Sequence, residues 1–212
     1  PEPGSLIRDL FETRPPSRRH YDGIPLRKLV MDTLKREAAA FGHQFQHSDD
    51  RDKIEFVTEL NKEVLFEDLS SKVNSAELDH MFRYNRKEAE KHRDGLWSRC
   101  MGFPGKLLRT VFHDPGIWLK GNKKKILGRY YKASFKGTAS LGWFAGAFGN
   151  TEEWVQAGRL MARCWLHITK AGGYIQPFGS LITNKKGYAQ LLETLPKPGA
   201  GKELWLLFRA GY

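Results

Sequence analysis

Thr151-Glu-Glu-Trp-Val-Gln-Ala-Gly-Arg-Leu-Met-Ala-Arg-Cys-Trp-Leu-His-Ile-Thr-Lys-Ala171 is the most regular stretch of the chain. Trp154, Ala157, Gly158, Met161, Cys164, Trp165 and Ile168 recur at three- and four-residue spacing, which places them on one face of an α-helix. Thr151 can cap its start, Glu152 and Glu153 suit the positive end of the helix dipole, and Gly172-Gly173 stops it. The pattern predicts a long core helix over 151–172. Before it, Ser140–Phe148 is aromatic and glycine-rich. After it come Tyr174–Thr183, a short helix around Tyr188–Leu195, a Pro/Gly loop and the strand Leu204–Phe208. Upstream, Leu6–Thr13 reads as a short helix ended by Arg14-Pro15-Pro16, because a residue preceding proline is pushed out of helical geometry. Leu26–Ala40 shows helical spacing through Leu29, Val30, Leu34 and Ala38, and the run from His43 to Leu60 reads as a strand followed by a helix. Strands and helices mix without regular βαβ alternation, so the expected class is α+β.

The 212 residues suit one domain with a real core, and 40% hydrophobic residues exclude a disordered or low-complexity chain. The longest apolar runs, Leu141–Phe148 and Leu204–Phe208, fall far short of a bilayer span, so no membrane partner is expected. Cys100 and Cys164 are the only cysteines, which excludes a multi-bridge scaffold and a four-cysteine zinc site. No secretory pattern opens the chain, and a reducing, cytoplasmic setting is expected. The formal net charge of +11 favours anionic partners: a phosphate-bearing cofactor, a membrane surface or nucleic acid. Residues 61–106 are dense in charge and read as a helical insert whose inner side is Leu78, Met81, Phe82 and Tyr84. Lys120-Gly-Asn-Lys-Lys-Lys125 reads as a solvated basic loop, and without a recognised binding module nucleic acid is not an expected partner.

Most motif-like fragments fail on chemistry. Gly199-Ala-Gly-Lys-Glu203 lacks the upstream glycine and the Ser/Thr of a phosphate-binding loop, and no G-x-G-x-x-G or G-x-S-x-G occurs. His43 and His47 stand four apart without the glutamate of a zinc-protease helix, so they read as ordinary histidines and no metal site is expected. Cys164, on the apolar face of the long helix, reads as a small buried hydrophobe.

Four separated pieces are more informative together. Arg14-Pro-Pro-Ser17-Arg18-Arg19-His-Tyr21 precedes a helix, Trp154-Val-Gln-Ala-Gly158-Arg159 opens the long one, Gly173-Tyr-Ile-Gln176-Pro177-Phe178-Gly179 follows it, and Leu206-Leu-Phe-Arg209-Ala-Gly211-Tyr212 comes last. This order resembles the nitroreductase-like FMN flavoproteins. The first piece looks like the family's R-x-S-x-R phosphate motif, with Ser17 and Arg19 matching and Pro15 at the place of the first Arg. The third looks like its G-x-x-x-x-P-x-G stretch beside the flavin ring, and the last like its R-x-G-Y strand. The charged middle, with Arg93-Asp94-Gly95-Leu96, is similar to the Acg-type, helix-inserted subgroup. Ala38-Ala-Ala-Phe-Gly-His-Gln-Phe45 departs from the family's usual Pro-Ser-x-x-Asn-x-Gln-Pro-Trp loop.

The resemblance implies a single nitroreductase-like domain over 1–212, a central antiparallel or mixed sheet flanked by helices, and an insert near 61–106 that could act as a lid. It implies noncovalent FMN at a homodimer interface, NAD(P)H as transient electron donor, and a nitroaromatic, quinone or similar acceptor reduced by a ping-pong hydride mechanism. No side chain is then a catalytic acid or base, because the flavin carries the chemistry. The expected phosphate contacts are Ser17 and Arg19 with Arg14, Arg18 or Arg209, since guanidinium forks make strong charge-assisted bonds to phosphate. The expected ring contacts are Gln176, Pro177, Phe178, Gly179 and Ser180, where Pro177 restricts the backbone and Gly179 permits close approach. The alternative reading is an FMN-binding protein in which the insert covers the flavin and no turnover occurs.

Overall fold

A computed structural model describes Leu10 and residues 16–212; the helix expected over 6–13, Leu10 apart, and Arg14 lie outside the described residues. In chain order the elements are α1 (Lys28–Ala40), β1 (Gln44–Ser48), α2 (Arg51–Ser70), α3 (Lys72–Met81), β2 (Phe82–Arg83), α4 (Arg86–His92), β3 (Leu96–Trp97), α5 (Gly105–His113) and α6 (Pro115–Trp118). They continue with α7 (Gly121–Ala133), β4 (Ser140–Gly146), α8 (Thr151–Lys170), β5 (Tyr174–Pro177), α9 (Gly179–Thr183), α10 (Lys185–Thr194) and β6 (Glu203–Gly211). The chain divides into two compact units, one comprising Lys136–Tyr212 with the chain up to Val57, the other Thr58–Phe135.

The first unit is built on an antiparallel sheet of order β1-β4-β6-β5. Every residue of β4 is buried, which accounts for its unbroken apolar run: a central strand covered on both faces has no side to give to solvent. Phe45 pairs with Phe144, Leu141 with Arg209, and Arg209 in turn with Gln176. One core is formed by Leu34 and Ala38 of α1 and Leu160, Cys164 and Ile168 of α8 with Phe144, Phe208 and Ala210 of the sheet.

The long helix is present, turned from the expected face. Ala157, Leu160, Cys164 and Ile168 point inward, whereas Trp154 stands 49% exposed and donates its indole N–H to the Phe148 carbonyl at 2.8 Å. Its cap is Asn150 rather than Thr151, because the Asn150 side chain accepts the Glu153 N–H at 3.1 Å. The helix ends at Lys170, where Gly172 takes φ +80° and paired bonds from Gly173 N–H to Ile168 and from Gly172 N–H to Thr169 close the last turn. In α1, Leu29 is 74% exposed and Met31 fills the inward position expected of it.

The second unit packs Phe66 and Leu69 of α2 against Phe82, Leu108, Val111, Phe112, Leu119 and Leu127. Within the charged stretch only Phe82 of the four expected inner residues is fully buried; Leu78 and Tyr84 are partly so, and Met81 is exposed. The basic segment expected as a loop forms Lys120 and the first turn of α7. Lysine is a good helix former, and Leu127 and Gly128, buried farther along, tie this helix to its neighbours.

Candidate functional site

The chain near Ser17 is stitched to the sheet by its backbone. Pro16 bridges Ile175, Ser17 N–H donates to the Ile175 carbonyl at 3.1 Å, Tyr21 N–H to Lys136 at 3.1 Å and Asp22 N–H to Tyr212 at 2.9 Å. Gly137 allows this approach: it takes φ +79°, and a Cβ there would lie 1.7 Å from the Tyr21 carbonyl oxygen. The loop therefore lies across one end of β5 and β6, beside Gln176 and Arg209.

Arg209 secures it. Fully buried, its guanidinium donates from Nη2 to the carbonyls of Arg19 at 2.9 Å and Ser17 at 3.5 Å and from Nη1 to Thr138 Oγ1 at 3.2 Å, and its Cζ lies 4.3 Å from the centre of the Tyr21 ring. Tyr21 returns its hydroxyl to the Ser17 carbonyl at 3.0 Å. Burial pushes the Tyr21 phenol up to about 12, with Arg209 pulling the other way. A buried cation is tolerable where its donors find acceptors, and here Nη2 finds them in the loop carbonyls and Nη1 in the Thr138 hydroxyl. Arg209, expected beside a phosphate, thus faces the protein and holds Ser17 and Arg19 in register.

What the loop presents outward is cationic. Ser17 Oγ accepts the Arg19 N–H at 3.3 Å, Arg18 is half-buried and Arg19 exposed, and among the described residues neither arginine is ion-paired. Across from Arg209 on the adjacent strand, the Gln176 side-chain oxygen is buried and meets no hydrogen-bond partner among the described residues. Phe178 is an anchor, with its N–H on the Leu207 carbonyl at 2.8 Å and its ring buried. Gly179 is exposed, and a Cβ placed on it would meet nothing within 4 Å, so the backbone there is open to approach. Ser180 follows, half-buried, in the first turn of α9.

Ser17, Arg19, Arg209, Gln176 and Pro177 are thus brought to one end of the sheet, and Phe178, Gly179 and Ser180 lead away from it. Arg14 lies outside the described residues. Thr138 and Gly137 were not legible as parts of this arrangement; the available signal was an arginine inside the apolar strand 206–211, which needs partners wherever it is buried. The cation-and-hydroxyl donor set and the orphaned Gln176 oxygen fit a flavin mononucleotide, which offers a phosphate at one end and a ring N–H at the other.

His43 and His47 do not share a helix. His43 is buried, accepts the Trp205 indole N–H at 3.2 Å and is held below its ordinary pKa by burial, while His47 lies in β1 and stacks on Phe45. Among the described residues no group of three His, Cys, Asp or Glu is placed to hold a metal, and no helix is long and apolar enough to cross a membrane.

No protein-family model and no curated protein matches the chain. Among solved structures it is similar to the FMN-dependent nitroreductase NfnB from Mycobacterium smegmatis in complex with NADPH, at 13% identity and TM-score 0.55, over 99% of this chain and 88% of that one. It is also similar to a nitroreductase with bound FMN from Bacteroides fragilis, at 12% identity and TM-score 0.53, over 97% of this chain and 87% of that one. A nitroreductase-like family protein from Bacillus cereus aligns at 12% identity and TM-score 0.52, over 97% and 84%. At these identities the likeness is one of fold: the chain has the α+β nitroreductase fold.

Proposed function

We propose that this chain binds FMN noncovalently and is an FMN-dependent oxidoreductase of nitroreductase type, passing hydride equivalents from NAD(P)H to an electron-poor acceptor such as a nitroaromatic or quinone. The observation that carries this reading is the Arg209 clamp on the Ser17 and Arg19 carbonyls, which ties the loop bearing Ser17, Arg18 and Arg19 to the strand next to Gln176, whose buried side-chain oxygen meets no hydrogen-bond partner among the described residues. The fold, shared with proteins whose solved structures hold FMN or NADPH, supports it.

Ser17, Arg18 and Arg19 would hold the phosphate, and Arg14 extends that set. Gln176 would accept the ring N–H, Pro177 restricts the strand end through its locked φ, and the open backbone at Gly179 admits the ring edge. The flavin, when bound, supplies the hydride chemistry. Arg209 is a positioning residue that acts through the loop. We place the site in a homodimer in the cytoplasm, and the Arg93-Asp94-Gly95-Leu96 segment supports kinship with the Acg-type subgroup. There Arg93 and Gly95 both adopt left-handed backbone, at φ 53° and 68°.

Titration of the protein with FMN and with riboflavin, which lacks the phosphate, tests this. Arg19→Ala removes a charge-assisted contact of about 1.5–3 kcal/mol, or roughly 10- to 150-fold in FMN affinity, and leaves riboflavin nearly unchanged. Ser17→Ala costs less, about 0.5–1.5 kcal/mol, because a neutral donor is lost. Equal losses for both ligands would reduce the loop to a structural element. Anaerobic NADPH bleaches an accessible flavin; bound flavin that stays oxidised indicates holding without turnover.

A further inference from the structure

A second concentration of charge lies in the unit Thr58–Phe135 and has no part in the flavin reading. Glu59, Lys62 and Phe66 recur at three- and four-residue spacing on α2; Lys124, Gly128 and Lys132, with Lys125 and Arg129, do the same on α7. Together they line an open groove of about 400 Å³. Gly128 lies against its wall, since a Cβ there would come into van der Waals contact with Lys62 Cδ at 3.4 Å and Phe66 Cε2 at 3.7 Å.

Five cations and one carboxylate face this space, a net of four positive charges. Glu59 is bonded to the Lys62 ammonium and pairs with Lys132 at 3.1 Å. Burial pushes its carboxyl up, but the two ammonium groups outweigh that and hold it below its ordinary value. Lys124, Lys125 and Arg129 are in no ion pair among the described residues. Like charges four apart, as Lys125 and Arg129 are, destabilise a helix by a few tenths of a kcal/mol, so the cluster opposes the fold that carries it. Scattered surface lysines avoid one another, whereas these converge over a concavity around a single internal anion.

We infer that this groove binds a compact phosphate anion carrying three to four negative charges, a diphosphate or triphosphate group. Its volume lies in the range of small-ligand sites, roughly 300–1,000 Å³. Its charge matches such a group, whereas a monophosphate neutralises only about half of it. Lysines serve phosphate well as point charges, with Arg129 adding a planar fork. A nucleic acid would call for a stripe of cations along a surface, and here they close on one space.

Calorimetric titration of the full chain with sodium pyrophosphate at near-physiological salt tests the inference. Lys124→Gln with Lys125→Gln weakens binding about tenfold by loss of two charge-assisted contacts. Glu59→Gln, which removes the competing internal anion, strengthens it about threefold by the same electrostatic logic. Lys35→Gln with Lys185→Gln lowers the net charge equally from exposed positions outside the groove and leaves affinity within about twofold. Inorganic phosphate binds at least about tenfold more weakly than pyrophosphate. Adenosine triphosphate distinguishes the source: tighter binding than pyrophosphate indicates a nucleotide, equal binding a bare polyphosphate, and either supports the site. Absence of pyrophosphate binding, equal losses in the two lysine pairs, or displacement of pyrophosphate by far lower concentrations of a 20-nucleotide DNA strand overturns it. Should Glu59→Gln fail to fold, the two lysine pairs decide alone, because all four positions are exposed.

Discussion

Among the described residues Arg209 is the largest side chain fully withdrawn from solvent, and its Nη donors go to the carbonyls of Ser17 and Arg19 and the hydroxyl of Thr138. Arg209→Met keeps much of the volume but takes a charged donor from the Arg19 carbonyl, the Thr138 hydroxyl and the Ser17 carbonyl, the last of which keeps the Tyr21 hydroxyl, at a cost of about 3 kcal/mol. Arg209→Lys keeps the charge yet cannot span three acceptors, so it falls between. Thermal unfolding reads the loss, and trypsin reads its place: cleavage after Arg18 or Arg19 accelerates in Arg209→Met once the clamp is gone. An unchanged melting temperature and cleavage rate would remove Arg209 from this role. The residue was legible in the sequence as a charge inside an apolar strand, but its direction was not. A guanidinium can serve a ligand phosphate or a neighbouring carbonyl with the same geometry, and only the folded backbone shows which is within reach.

At the scale of elements, helical periodicity located α1, α8 and α10 while misplacing their details. Thr151 and Asn150 are both good caps, and the choice between them rests on which side chain meets the N–H of the third residue of the first turn. That is Asn150, bonded to Glu153 N–H. Asn150→Ala therefore costs about 1 kcal/mol, and Thr151→Ala within about 0.5 kcal/mol, measured by urea unfolding; a larger loss at Thr151 would contradict the cap. The same limit explains Leu29 and Met31. Leu29, Val30 and Met31 are consecutive and all apolar, and the roll of α1 against the sheet buries Val30 and Met31 and leaves Leu29 outside. It explains the lysines at 123–125 as well, whose charge suggested a loop although their propensity is helical.

Across the whole molecule, burial raises several acidic groups together. The Cys164 thiol is pushed up to about 12 by burial first and by Glu37 second, and the Tyr21 phenol to about 12; Tyr188 and Tyr84 move the same way for the same first reason. Groups raised in the folded state bind protons there that the unfolded chain has released, so their stabilisation is complete below about pH 9 and is lost as pH rises toward 12. Relief of the +11 charge acts oppositely up to the isoelectric point near 9.7. Urea midpoints should hold or rise slightly to about pH 9.5 and fall steeply by pH 11, and Cys164→Ala should flatten part of that fall. A midpoint that keeps rising through pH 11 would contradict the burial of these groups. Composition and periodicity by themselves determined the α+β class, the long helix, the strand that ends the chain and an electropositive character, because these depend on local spacing and on totals. The order of separated motifs pointed to the fold and to the loop at Ser17. Tertiary structure alone decided the inward turn of Arg209, the support from Thr138 and Gly137, and the convergence of α2 and α7 on a basic groove. Each is a contact between residues more than fifty positions apart, and no local pattern specifies which distant atoms will satisfy a buried charge or share a concavity.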